Sequence, residues 1–131
     1  MLQPRHILIV DDNEQMRLVL ARMVKRTWTD ASLAEAAHGA EALSAVAQQH
    51  PDLIISDYQM PVMDGLALVR TLRAQGATMP ILALSSQPSA RKTILAAGAD
   101  HFLLKPVTLG TFAQTLRTLL PDDEETRALG Q

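Results

Sequence analysis

Short, nearly unbroken apolar runs alternate along this chain with longer stretches whose apolar residues recur every three or four positions. IleLeuIleVal (7–10) runs into Asp11-Asp12, and LeuIleIleSer (53–56) runs into Asp57. IleLeuAlaLeu (81–84) ends at Ser85, and PheLeuLeu (102–104) ends at Lys105-Pro106. Runs this rich in branched residues, too short for helices, predict parallel strands covered on both faces. Residues 33–36 give a weaker second strand.

The intervening stretches have helical spacing. Met16, Val19, Leu20, Met23 and Val24 form the apolar stripe of a first helix, with Arg17, Arg22, Lys25 and Arg26 mostly off it. His38-Gly39 is a turn into a helix over about 40–49, which His50-Pro51 ends. A long loop marked by Met60-Pro61 and Asp64-Gly65 precedes a helix over 65–75, with Gly76 as its stop. Gln87-Pro88-Ser89 opens a short helix ending near Gly98, and Thr108 caps a last helix running to about Leu120. Pro121 and the acidic run Asp122 to Glu125 leave the folded unit. The division is therefore a domain over 5–120 and an acidic tail or linker over 121–131.

Five β–α units joined by short loops predict an α/β fold, a three-layer doubly wound (βα)5 parallel sheet with right-handed crossovers. Periodicity does not fix the strand order. The flavodoxin-like order 2-1-3-4-5, taken from known folds of this class, would set strands 1 and 3 side by side and bring Asp11, Asp12 and Asp57 together.

Composition narrows the function classes. Among 131 residues, a net charge of −2 gives no general attraction to nucleic acid or anionic membranes. Aromatic residues are 3% of the chain and basic residues are not interleaved with them, which speaks against direct nucleic-acid binding. The absence of cysteine excludes disulfides and thiolate metal sites. The first apolar run is too short for a signal segment or membrane span, so no membrane role and a cytoplasmic location are expected. There is no glycine-rich phosphate loop, zinc-binding helix or nucleophile elbow, and His6, His38, His50 and His101 are scattered.

In a parallel sheet all strand C-termini share one edge, where open α/β sheets bind ligands. Three carboxylates, a hydroxyl and an ammonium reach that edge in Asp11, Asp12, Asp57, Ser85 and Lys105. That set suits a cation and a phosphoryl group. A single aspartate after a strand is often only a helix N-cap, a role open to Asp12 at the first helix. Asp64-Gly65 reads as structural, shaping its loop and starting the third helix. The Arg22, Lys25, Arg26 group reads as a solvated face.

The segments IleLeuIleValAspAspAsn (7–13), AspLeuIleIleSerAspTyrGlnMetProValMetAspGly (52–65), ProIleLeuAlaLeuSer (80–85) and AlaGlyAlaAspHisPheLeuLeuLysPro (97–106) resemble the receiver domain of bacterial two-component response regulators, the CheY-like superfamily. The resemblance covers roughly residues 5–120. It implies that Asp57 is the phosphoacceptor, taking a phosphoryl group from a histidine kinase or histidine phosphotransfer protein. It implies Mg²⁺ held by Asp11, Asp12, Asp57 and the backbone carbonyl of Gln59, with Lys105 as counter-ion. It further implies Ser85 and Phe102 as a switch pair, a cis Lys105–Pro106 bond, and Gln59 and Gln87 as positions that tune hydrolysis. Such a protein catalyses only its own phosphorylation and dephosphorylation. It acts on a downstream protein target or a missing output domain.

The chain departs from the family pattern in three places. Ser85 to Lys105 spans 105 − 85 = 20 positions, slightly fewer than is typical, which unsettles the usual helix 4 signalling surface. Gln59 and Gln87 are neutral amides that offer no general base. The last helix carries only Arg117 as a charge, which disfavours dimerisation through charged residues of helices 4 and 5. Two other classes compete. A receiver-shaped interaction module that is never phosphorylated usually lacks an acidic or lysine residue retained here. An Asp-nucleophile Mg²⁺ phosphatase of the haloacid dehalogenase type needs AspXxxAsp after the first strand, where this chain has Asn13.

Overall fold

A computed structural model describes residues 4–121. Its strands are β1 (His6–Val10), β2 (Ser32–Ala36), β3 (Leu53–Asp57), β4 (Ile81–Ser85) and β5 (His101–Leu104). They alternate with helices α1 (Glu14–Thr27), α2 (Gly39–Gln48), α3 (Gly65–Ala74), α4 (Ala90–Ala97) and α5 (Leu109–Leu119). All strand pairs are parallel, in the order β2-β1-β3-β4-β5. The expected (βα)5 architecture and strand order are both present. The tail from Asp122 onward lies outside the described residues.

The unbroken apolar strands follow from the layers. Side chains alternate across a strand, so Ile7, Ile9, Leu53, Ile55, Leu82 and Leu84 pack with α1 and α5 through Leu20, Val24, Phe112 and Leu116. The intervening Leu8, Val10, Ile54, Ile81 and Ala83 pack with α2, α3 and α4 through Ala42, Leu68, Val69, Leu72 and Ile94. Strands β1, β3 and β4 are buried at every position. Edge strand β2 is buried only at Ala36, which explains its weak apolar signal.

Element ends agree with the sequence reading to within a residue or so, and the caps show why. Asp64 accepts a hydrogen bond from Ala67 N at 2.9 Å and Thr108 from Thr111 N at 3.2 Å, as expected of both. Gly76, at φ +84°, stops α3 in a conformation that favours glycine. At α2 the cap is His38, whose Nδ1 accepts from Glu41 N at 3.3 Å.

Two readings are corrected. Asn13, not Asp12, caps α1: its side chain accepts from Met16 N at 2.9 Å. The helix starts one residue later than an Asp12 cap requires, which leaves Asp12 exposed and available to the site. Lys25 is more than a solvated charge. Its Nζ donates to Ala31 O at 2.5 Å and to Thr29 O at 3.4 Å, tying the end of α1 to the turn before β2.

One long-range device was not legible in the sequence. Arg73 on α3 donates to the carbonyls of Ala77, Met79 and Gly98 and pairs with Asp100 at 2.9 Å, joining α3, the β4 entry and the end of α4. No helix among the described residues is long and apolar enough to cross a membrane.

Candidate functional site

Asp11 and Asp57 reach the same edge because β1 and β3 pair in register from Ile7 with Leu53 to Val10 with Ser56, so both carboxylates stand at neighbouring strand ends. Asp12 follows in the turn. Carboxylate oxygens of Asp11, Asp12 and Asp57 lie within 4.8 Å of one another. Asp57 is the register partner of Leu84 on β4, and Ser85 is the next residue. Ser85 in turn pairs with Leu104, one residue before Lys105, and its carbonyl accepts from Lys105 N at 2.8 Å. The Lys105–Pro106 bond is cis, as expected.

Asp11, Asp12, Asn13, Gln15, Met16, Val19, Asp57 and Lys105 line an open depression of about 340 Å³ over this edge. Lys105 Nζ donates to Asp57 Oδ1 at 2.9 Å and stands 3.5 Å from Asp11 Oδ2. Asp11 is held from behind. Its Oδ1 accepts from Asn13 N at 2.9 Å, its N donates to Ala36 O, and its carbonyl accepts from Arg17 Nη1 at 2.7 Å. Arg17 is fixed by Glu35 at 2.9 Å. Sequence reading missed this brace; the only signal for it was a basic residue one turn inside α1, on the side of β2.

Burial pushes the Asp57 carboxyl up from its ordinary value. The hydrogen bond and charge of Lys105 offset part of that push, while the charges of Asp11 and Asp12 add to it. Burial draws Lys105 down, but its hydrogen bond to Asp57 and the charges of Asp57 and Asp11 outweigh this and leave it raised. One ammonium thus offsets only part of the charge of three clustered carboxylates. Asp11 Oδ2, 3.5 Å from Lys105 Nζ, is buried and makes no hydrogen bond. A buried carboxylate oxygen without a donor is costly in water-free surroundings. An all-oxygen set of three carboxylates suits a hard divalent cation, and that orphan oxygen is where one would relieve the cost. The residues present therefore fit a hard divalent metal ion.

The other expected positions are less concentrated. The Ser85 side chain is buried, and its Oγ accepts from Gln87 N at 3.0 Å. Phe102 is buried on the α2, α3 and α4 side of the sheet, opposite Ala83. Gln59 and Gln87 are exposed on the loops after β3 and β4.

The β3–α3 loop is held in an uncommon shape. Gly65 N donates to Tyr58 O at 2.8 Å, which closes the loop back onto the residue after Asp57. Within it Val62 has φ +71° and is 83% exposed. A β-branched residue is a poor occupant of the left-handed region. Val62→Asn is therefore expected to stabilise the fold by about 1 kcal/mol, read as a higher denaturant midpoint at unchanged slope. An unchanged or lower midpoint would contradict it.

Comparison with known proteins agrees with this geometry. The sequence matches the response regulator receiver domain family over residues 7–117. It is 38% identical over 126 residues to the response regulator MprA of Mycolicibacterium vanbaalenii, a match spanning 92% of this chain and 54% of that protein. It is 39% identical over 123 residues to MprA of Mycobacterium leprae, covering 89% of this chain and 53% of the relative. The chain thus spans about half the length of the curated relatives it matches. Among solved structures, chemotaxis protein CheY4 of Vibrio cholerae superimposes with a TM-score of 0.81 at 32% identity, covering 90% of this chain and all of that one. A putative response regulator from Chloroflexus aurantiacus gives a TM-score of 0.84 at 29% identity, with 92% and 100% covered.

Proposed function

Because this chain belongs to the response regulator receiver family of two-component signalling, we propose that Asp57 accepts a phosphoryl group from a histidine kinase or histidine phosphotransfer protein and that the modified domain changes its affinity for a partner. The observation that carries this reading is the meeting of Asp57 with Lys105 at 2.9 Å beside two further carboxylates, one with an orphaned buried oxygen. The receiver unit is residues 5–120. The family is generally not one of classical enzymes, and the only reactions assigned to this chain are the gain and loss of its own phosphoryl group.

Asp11, Asp12, Asp57 and the Gln59 carbonyl are the groups to hold Mg²⁺. When bound, the ion supplies positive charge against the carboxylates and the phosphoryl oxygens. The chain's own part is positioning and charge. Ionised Asp57 attacks phosphorus; an O–P bond forms, and the P–N bond breaks with its electron pair leaving on the donor's imidazole nitrogen. Lys105, already against Asp57, neutralises the incoming phosphoryl oxygens. The Ser85 hydroxyl, whose oxygen accepts from Gln87 N, supplies its O–H as a further donor. Phe102 then occupies the space beside β4 by apolar burial alone, since it has no hydroxyl. Gln59 and Gln87 flank the phosphoryl group with amides that hydrogen-bond to water but do not deprotonate it.

Incubation with acetyl phosphate and Mg²⁺, followed by intact mass, tests the reading. The expected result is a single phosphoryl adduct that needs Mg²⁺ and is released by hydroxylamine, as an acyl phosphate is. No adduct, together with no spectral response to beryllofluoride and Mg²⁺, would contradict it and leave the unphosphorylated interaction module.

A further inference from the structure

Asp11 is held at every polar atom but one. Its N donates to Ala36 O at 3.1 Å, its Oδ1 accepts from Asn13 N at 2.9 Å, and its carbonyl accepts from Arg17 Nη1 at 2.7 Å. Oδ2, the atom left without a hydrogen bond, faces Lys105 across 3.5 Å. Among the described residues no other donor reaches the Asp11 carbonyl. That carbonyl belongs to the planar peptide joining Asp11 to Asp12, so its orientation governs how the two carboxylates stand to each other. Asp12 itself is exposed.

Arg17 reaches this carbonyl from the first turns of α1, where its own N donates to Asn13 O. Its Nε donates to Glu35 Oε1 at 2.9 Å, and Glu35 on β2 is the residue before Ala36. Edge strand β2 therefore holds Asp11 twice, by a backbone acceptor and through the Glu35–Arg17 bridge. The planar guanidinium suits this double task, because two of its fixed donors serve separate acceptors at once. Charge matters as well. A lone cation here would oppose a metal ion at the neighbouring carboxylates, and Glu35 offsets it.

We infer that Arg17 is a positioning residue for the divalent metal ion. By fixing the Asp11–Asp12 peptide it sets the affinity of those carboxylates for Mg²⁺, while Glu35 holds Arg17 in place and cancels its charge. The inference rests on the reading that Asp11, Asp12 and Asp57 hold Mg²⁺. Groups that orient metal ligands from behind are commonly worth about 10–100-fold in metal affinity. Charge alone predicts the opposite sign, since removing a cation beside the site would tighten Mg²⁺ binding.

Titration of the full chain with MgCl₂ alone, followed at the amide of Asn13, which bonds Asp11 Oδ1, separates the two effects. Arg17→Met is expected to weaken Mg²⁺ binding about tenfold. Arg17→Met with Glu35→Gln, in which the pair stays neutral overall, should weaken it as much. Arg17→Lys keeps the charge and loses the fork, so its affinity should fall between those of the wild type and Arg17→Met. Urea unfolding of each variant is measured alongside, because a merely structural role would lower the unfolding midpoint and leave the Mg²⁺ affinity of the folded chain alone. Unchanged or tighter binding by folded Arg17→Met would overturn the inference. So would wild-type affinity in the double variant, which would assign the effect to charge. If Arg17→Met does not fold, Arg17→Lys carries the test, and wild-type affinity there would overturn it. A wild type without any Mg²⁺ response would overturn the metal reading itself, and this inference with it.

Discussion

Asp57→Asn is expected to abolish phosphoryl uptake completely while leaving a folded chain that is more stable at neutral pH. The loss of uptake follows because an amide is not a nucleophile and neither Asp11 nor Asp12 holds the place beside Lys105 that Asp57 does. The gain in stability follows from the direction of the Asp57 shift. Its carboxyl is raised by burial, even with Lys105 bonded to it. A raised acid contributes stability below its ordinary value, and that contribution is lost as pH climbs through the raised folded value. The ionised carboxylate therefore costs more in the native state than in the unfolded chain, and the substitution removes that cost. The gain should shrink as pH falls to the ordinary carboxylate range. Thermal or urea unfolding of both chains across that range, without Mg²⁺, measures it; a destabilised variant at neutral pH would show that Lys105 more than repays the burial. By the same shift, uptake by the wild type should begin to fall on acidification before the ordinary carboxylate range is reached.

Gly65→Ala is expected to cost about 2–3 kcal/mol and to slow phosphoryl uptake as well. A Cβ at this position would overlap the Asp57 carbonyl oxygen and stand 2.9 Å from Tyr58 Cα. Both are backbone atoms at the end of a fully buried strand, so neither can yield as a flexible side chain would. Relief requires moving the loop or moving Asp57, and the Gly65 N to Tyr58 O bond resists the first. A matched control lies in α5, where a Cβ on Gly110 meets nothing within 4 Å. Gly110→Ala should instead stabilise by about 0.5–1 kcal/mol. Denaturant unfolding of both variants decides the matter; equal effects at the two positions would contradict the close-packing account.

The contrast between these glycines shows what the sequence could and could not reveal. The doublet Asp64-Gly65 signals a loop and a helix start in either case, and Asp64 does cap α3. That the glycine is required by an approach to Asp57, 65 − 57 = 8 residues back along the chain, is a fact of packing with no local signature. The buried strands were legible because both of their faces are covered, which makes Ile7–Val10 or Ile81–Leu84 apolar without alternation. Edge strand β2 carries a diluted version of the same signal and was correspondingly faint.

The site was legible for the same reason that it exists. Parallel strands deliver their last residues to one edge, so polar residues placed just after apolar runs converge without any long-range information. The strand order that makes β1 and β3 neighbours came only from likeness to known folds. What local pattern could not supply was the division of labour between adjacent polar residues. Asp12 and Asn13 are both good caps, and the choice between them depends on where the first helical turn closes. The Arg17 brace and the Arg73 clamp bind carbonyls from distant segments, and a carbonyl leaves no trace in the sequence. The left-handed Val62 runs against its own residue preference and was invisible to any reading built on preference.

The central claim is that Asp57, among three clustered carboxylates, is the one that takes the phosphoryl group. Treating the acetyl phosphate–loaded protein with borohydride reduces an aspartyl phosphate to homoserine, and peptide mass mapping then locates the converted residue. The account predicts conversion at Asp57 alone. Conversion at Asp11 or Asp12, or a stable adduct with Asp57 untouched, would contradict it.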